Sequence, residues 1–307
     1  MTHIEDSWIG RGGRRPVGVE IEFGGLDAMR AAGAVARRFG GTVRPDGPHR
    51  VHVEATELGR FMVELDWDWI HAPSDDAFVD MAKEMLGDIG AELVPMEVVT
   101  PPVPAGRLPE IDSLVRDLVA LGAEGTRAGL FYAFGLHLNP SIGAADLAAG
   151  PILRVLQAYL LEAAALRASI DVDPVRSILP FVEPFPPEYV DHVLDPDYTP
   201  DIGRLIDDYL RFNPTRNREL DLLPLLAWID PERVRAAVAD PRMKGRPTFH
   251  WRLPNADFDA PGWTVTRQWL RWLRIEEASL EVEELAARLA ERQQALQHGA
   301  SLWASLF

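Results

Sequence analysis

Between residues 17 and 24 apolar and polar positions alternate without a break. Val17, Val19, Ile21 and Phe23 fall on one face of an extended strand, Gly18, Glu20, Glu22 and Gly24 on the other. The same period of two predicts a hairpin over residues 50–55 and 60–67, turning around Glu57, Leu58 and Gly59. It also predicts a strand over 92–100 cut off by Pro101 and Pro102, one over 129–139 and a last one over 246–253.

Helical spacing fills the intervals. An Ala-rich helix is expected over 26–39, ended by Gly40 and Gly41. Ser74 is a suitable N-cap for a helix burying Phe78, Met81, Met85 and Ile89. Residues 109–121 put Ile111, Leu114, Leu118 and Leu121 on one side, and Pro151 opens a long helix through Ile170. Further helices are expected over 201–212, over 231–239 and from Trp263 to the end. In the last of these Val265, Trp269, Leu273, Leu280, Leu285 and Leu289 form a stripe that packs on the core or on a second copy of the chain. Residues 172–198, rich in Pro, Phe and acids, read as a long ordered loop or lid, and 1–15 as a flexible lead-in. The pattern is that of an α+β fold with a mainly antiparallel sheet packed by helices. No linker separates its body, 16–262, from a helical extension over 263–307 that packs on the same domain.

Composition narrows the classes. The 307 residues carry a net charge of −16, which disfavours non-specific binding to nucleic acid or to an anionic membrane. There is no cysteine, so disulfides, thiolate metal sites and cysteine nucleophiles are excluded; such usage fits a cytoplasmic chain without requiring one. No uninterrupted apolar run is long enough to span a bilayer.

The polar faces of the predicted strands carry the candidate chemistry. Glu20 and Glu22, His52 and Glu54, Glu64 and Asp66, Glu97, His137 and Asn139, and His250 and Arg252 each share a face by period. Side-by-side carboxylates repel unless a cation or water relieves them. From the octet alone Glu20 and Glu22 are either an ordinary solvated face or one wall of a metal site. Assembled into one sheet, the set would make an acid-lined concave floor, suited by its oxygens to Mg²⁺ or Mn²⁺ more than to Zn²⁺.

Six motifs in order carry a resemblance. They are Gly-Val-Glu-Ile-Glu-Phe at 18–23, Gly-Arg-Phe-Met-Val-Glu-Leu-Asp at 59–66, Glu-Leu-Val-Pro-Met-Glu-Val-Val-Thr-Pro-Pro at 92–102 and Gly-Leu-His-Leu-Asn at 135–139. Thr-Arg-Asn-Arg-Glu-Leu-Asp-Leu-Leu-Pro at 215–224 and Phe-His-Trp-Arg-Leu at 249–253 complete the set. Together, over residues 16–255, they resemble the amidoligase family, relatives of glutamine synthetase and glutamate–cysteine ligase in the carboxylate–amine ligase fold.

The resemblance implies a glutamine-synthetase-like catalytic fold and an ATP-dependent ligation in which a carboxylate is activated as an acyl phosphate and captured by an amine. Its implied cofactors are ATP and Mg²⁺, with Mn²⁺ as a substitute, and its substrates small-molecule or peptide carboxylates and amines. Carried onto this sequence it makes Glu20, Glu22, Glu97, His137 and His250 metal ligands. Glu64 and Asp66 would bind metal, or position and deprotonate the amine. Arg216, Asn217, Arg218 and Arg252 would bind phosphate, with Arg216 and Arg252 in the catalytic set. His52 and Glu54 match no motif and read as a solvated hairpin face; Trp67 and Trp69 read as packing. One position departs: His250 stands where the family's Glu-x-Arg pair has its Glu, which changes the charge of the site by one unit. An inactive relative that binds a nucleotide or a protein, and a metal-dependent amide hydrolase, therefore remain open as alternatives.

Overall fold

The computed structural model describes residues 12–47, 49–65, 95–128, 133–178, 182–240 and 243–304. The helix expected from Ser74, together with Asp66, Trp67 and Trp69, lies outside the described residues.

Among the described residues nine strands form one sheet: β1 (Pro16–Phe23), β2 (Thr42–Pro45), β3 (Arg50–Thr56), β4 (Gly59–Leu65), β5 (Met96–Val99), β6 (Val103–Pro104), β7 (Leu136–Pro140), β8 (Leu220–Asp221) and β9 (His250–Trp251). The order is β2-β3-β4-β5-β1-β7-β9-β8, with β6 on the start of β1, and every pairing is antiparallel. The octet's apolar face is realised on β1, which ends one residue short of Gly24. Val17, Val19, Ile21 and Phe23 are all 0% exposed, each contributing about 1.5–3 kcal/mol by leaving water.

Ten helices follow among the described residues: α1 (Ala28–Phe39), α2 (Leu108–Ala120), α3 (Ala149–Ile170), α4 (Pro174–Ile178), α5 (Pro187–Val193), α6 (Ile202–Phe212), α7 (Leu223–Ile229), α8 (Pro231–Ala237), α9 (Val265–Leu280) and α10 (Val282–Ala304). Asp27 caps α1 by accepting from Arg30 N at 2.9 Å, and the helix ends at Gly40, whose φ of 72° favours a residue without a Cβ. α1 lies on β3 and β4, where Phe39 stacks on Phe61 at 5.3 Å. By length and composition α3 could cross a membrane. Its side chains Ile152, Leu156, Ala158 and Tyr159 are instead fully buried, and the helix packs against α9 and α6.

Several expectations need correction. The long C-terminal helix is two helices, because Glu281 (φ −78°, ψ 69°) leaves the helical region. In the stripe Val265, Trp269, Leu273, Leu285 and Leu289 are buried, whereas Leu280, at the break, is 63% exposed. The last strand contracts from 246–253 to His250–Trp251: Pro247 offers no N–H, and Thr248 N turns back to Arg246 O at 2.8 Å. The loop over 172–198 contains α4 and α5. The end of the lead-in is tied to the fold, since Arg15 pairs with Glu276 and donates to Ser141 O at 2.7 Å.

Candidate functional site

Strand register brings the polar residues into rows. Glu20 lies opposite His137 and Gly18 opposite Asn139 on β7. Leu138 pairs with Trp251, so the flanking His250 and Arg252 share the face of His137 and Asn139. Asp221 pairs with His250 on the far side. In the other direction Glu22 pairs with Glu97, and Glu97 with Glu64. Gly18 leaves room in this face, since a Cβ there would stand 3.2 Å from the Cβ of Asn139.

At the centre sits Glu20. Its Oε1 accepts from Asn139 Nδ2 at 3.0 Å, and its Oε2 lies 3.2 Å from His137 Nδ1 and 3.7 Å from His250 Nε2. The other ring nitrogen of His137 is 3.2 Å from Glu22 Oε1, while Glu22 Oε2 accepts from Gly135 N at 2.6 Å. Burial disfavours the charge on Glu20, yet the close contact with His137 and the nearby imidazole of His250 outweigh it and hold the carboxyl well below its usual range. Burial also lowers the pKa of His137, against the pull of Glu22 and Glu20, so its imidazole is neutral near neutral pH.

His250, 2% exposed, has no hydrogen bond at either ring nitrogen, and the fully buried Asp221 has none at Oδ2. Leaving such groups unmet costs about 1–3 kcal/mol each. One acceptor from each of Glu20, His137 and His250 falls within 4.8 Å of the others, a set able to surround a divalent cation. Ligand atoms that share an ion at about 2.1 Å lie about 3–3.4 Å apart, close to the 3.2 and 3.7 Å separations from Glu20. The residues present fit a cation.

Guanidinium groups border the cluster. Arg246 Nη1 is 3.7 Å from Glu20 Oε1, and the buried Arg252 donates from Nη1 to Arg216 O at 2.6 Å while its Nε meets no acceptor. Arg216 Nη1 lies 3.7 Å from Asp240 Oδ2. Arg176, also buried, donates to the carbonyls of Arg252, Leu253 and Pro254 at 2.8–2.9 Å and to Asn255 Oδ1 at 3.2 Å. That fixes the chain leaving β9. Burial lowers the pKa of Arg176 to about 10.

Glu20, Glu22, His137, His250 and Arg252 thus come together, with Glu97 beside Glu22. Other sequence candidates are engaged elsewhere. Glu64 meets Arg50 at 2.5 Å. Arg218 donates to Glu183 Oε2, Pro184 O and Asn213 Oδ1 at 2.8–3.0 Å. Asn217 holds Glu183 N through its carbonyl at 2.9 Å. Sequence reasoning missed Asp221, Arg176 and Arg246. Asp221 had a signal, alternating with Glu219 around the apolar Leu220; Arg176 had none.

Residues 13–274 match a family described as "Putative amidoligase enzyme". The match runs past the motifs at 16–255 and into α9. No curated protein and no solved structure matches the chain.

Proposed function

The chain belongs to this amidoligase family, whose members are ligase-type enzymes, and on that premise we propose that it is an ATP-dependent carboxylate–amine ligase. The observation that carries the reading is the Glu20–His137–His250 cluster, set on a polar sheet face and bordered by Arg252 and Arg246. A glutamine-synthetase-like fold belongs to the same proposal, supported by the antiparallel sheet with one charged face.

In this reading an oxygen of the substrate carboxylate attacks the γ-phosphorus of ATP, ADP departs, and an acyl phosphate forms. The amine nitrogen then attacks the acyl carbon, phosphate leaves, and the nitrogen loses a proton. Glu20, His137 and His250 would hold a divalent cation, Mg²⁺ or Mn²⁺, which supplies neutralisation of phosphate charge. Arg252 has an unmet donor at Nε and would bind a phosphate oxygen. Arg216, whose carbonyl holds Arg252, would add a second charge. Glu22 and Glu97 line the neighbouring row with carboxyl groups, which would receive an incoming amine. Glu64, one oxygen of which meets Arg50, would orient the amine at the edge of that row.

A second reading, metal-dependent amide hydrolysis, is favoured by the two-imidazole, one-carboxylate set, which leaves ligand positions for water. The deciding experiment incubates the purified protein with ATP, divalent metal and a panel of amino acids and short peptides. Release of ADP and phosphate that requires both a carboxylate and an amine, and is lost in Glu20→Gln, is the expected result. Amide cleavage with metal and no nucleotide would establish the hydrolase instead, and nucleotide binding without turnover the inactive relative.

A further inference from the structure

Behind each imidazole of the cluster stands a buried carboxylate. His137 has Nδ1 toward Glu20 and Nε2 toward Glu22 Oε1, each at 3.2 Å, and Glu22 is itself fixed by Gly135 N. His250 stands between carboxylates in the same order at longer range, with Nε2 3.7 Å from Glu20 Oε2 and Nδ1 3.5 Å from Asp221 Oδ2. Asp221 is fixed in turn, its Oδ1 accepting from Leu223 N at 2.9 Å. An imidazole that donates one N–H to an outer carboxylate presents the lone pair of its other nitrogen, and metal-binding histidines are regularly held this way. The unbonded, 2% exposed ring of His250 points independently to a ligand at this place.

We propose that the ion held by Glu20, His137 and His250 is a first-row transition ion of the Mn²⁺, Fe²⁺, Co²⁺ and Zn²⁺ class, selected over Mg²⁺, with Glu22 and Asp221 as positioning residues for the two imidazoles. The inference rests on the preceding reading that this cluster holds a cation. Imidazole nitrogens suit transition ions, whereas Mg²⁺ seeks hard oxygens in near-ideal octahedral order and gives up water reluctantly. Here two of three protein ligands are nitrogens and only one carries charge.

The pairing also explains the departure at position 250. A glutamate there would stand beside the fully buried Asp221 as its strand partner, two carboxylates away from water. Asp221 Oδ2 lies 3.5 Å from His250 Nδ1, close enough to take its N–H once the ring turns to an ion, so the imidazole is a built ligand rather than a lost one.

The test is equilibrium dialysis of metal-free protein against Mn²⁺ and Mg²⁺, with bound metal measured directly, and spin-echo spectroscopy of the Mn²⁺ form. Nearly every site favours Mn²⁺ somewhat, so the ratio is read against the double variant His250→Glu with Asp221→Asn. Wild type is expected to bind Mn²⁺ at least about 100-fold tighter than Mg²⁺ and to show nitrogen modulation from two imidazoles. Asp221→Asn should weaken Mn²⁺ about 10–100-fold. The double variant should lower the Mn²⁺ to Mg²⁺ ratio at least about tenfold and retain the signal of one imidazole. An unchanged ratio, or Mn²⁺ bound through oxygen alone, overturns this inference and leaves the ligase reading standing. Failure of folded wild type to bind any divalent ion overturns both. Should the double variant not fold, the wild-type nitrogen signal and Asp221→Asn decide.

Discussion

At the hairpin end of the sheet Arg44 meets Glu54 at 2.7 Å, Arg50 meets Glu64 at 2.5 Å and His52 meets Asp46 at 3.2 Å, with at least one partner of each pair well exposed. Around β1, β7 and β9 the same face carries Glu20, His137, His250, Asp221 and Arg252, nearly all buried and several with atoms that meet nothing. Both ends arise from one sequence pattern, polar residues every second position. The outer end answers each arginine with a carboxylate in water, where such a pair is worth about 0–1 kcal/mol. The inner end places charge where an unmet group is costly and stability alone would favour apolar residues. Groups kept in that condition mark a site.

The sharpest way to break the comparison is to remove a buried charge that is fully satisfied. Arg176→Met leaves the carbonyls of Arg252, Leu253 and Pro254 and the side chain of Asn255 without their donor. The expected loss is about 3–5 kcal/mol in urea unfolding, against less than about 1 kcal/mol for Arg50→Gln on the hairpin. Equal losses would mean that the inner end holds the fold no more tightly than the outer.

Next in size is a single methyl group. A Cβ on Gly135 would stand 2.6 Å from Arg176 Nη2 and 3.0 Å from His137 Nε2, both held by their own partners. Gly135→Ala should cost about 1–3 kcal/mol by overpacking. Gly47, at a φ of 84° with nothing within 4 Å of such a Cβ, should lose only the backbone strain of about 1 kcal/mol in Gly47→Ala. A harmless Gly135→Ala, measured the same way, would show that Arg176 and His137 are not locked in place.

Acid should also separate the two ends. The pKa of folded His137 lies below its ordinary 6.5, so below that pH the unfolded chain takes up a proton that the folded chain refuses. Glu20, held well below 4.5, acts in the same sense: its contribution is whole above 4.5 and is lost as pH falls toward the folded value. Stability of the metal-free protein should therefore decline from about pH 6.5 downward. His137→Gln should remove the part of the decline that sets in as pH falls through about 6.5. A wild-type unfolding midpoint that stays flat over that range would remove His137 from the buried, neutral state.

Much of this was legible in the chain. The octet at 17–24, the hairpin, the helix at 109–121 and the ordered motifs each follow from local period or from residues that sit together in sequence. Placing His137 and His250 beside Glu20 needed two facts that local pattern does not carry: β7 pairs with β1, and β9 pairs with β7. Asp221 was within a quoted motif, but its role appears only when β8 is set against β9. Arg176 was beyond reach, because an Arg in a Pro-rich stretch reads as solvated until three distant carbonyls converge on it. Where the donors of Arg218 go, to Glu183, Pro184 and Asn213, was equally out of reach, because two of those acceptors lie more than thirty residues away.

The smallest expected effect tests the outer end directly. Arg50 is 47% exposed and Glu64 13%, and a double-mutant cycle through Arg50→Gln and Glu64→Gln isolates what they contribute to each other. A coupling of about 0.2–1 kcal/mol is expected, fading in about 0.5 M salt as counterions screen the pair. Such a value would place Glu64 with Glu54 and Asp46, as charge answered at the surface. Glu64 has another neighbour, however, in Glu97, its partner across β5 and one step from Glu22. A salt-insensitive coupling above about 2 kcal/mol, or loss of amine-dependent turnover in Glu64→Gln at unchanged stability, would move the boundary between the two ends outward by one strand. Glu64 would then belong to the working face.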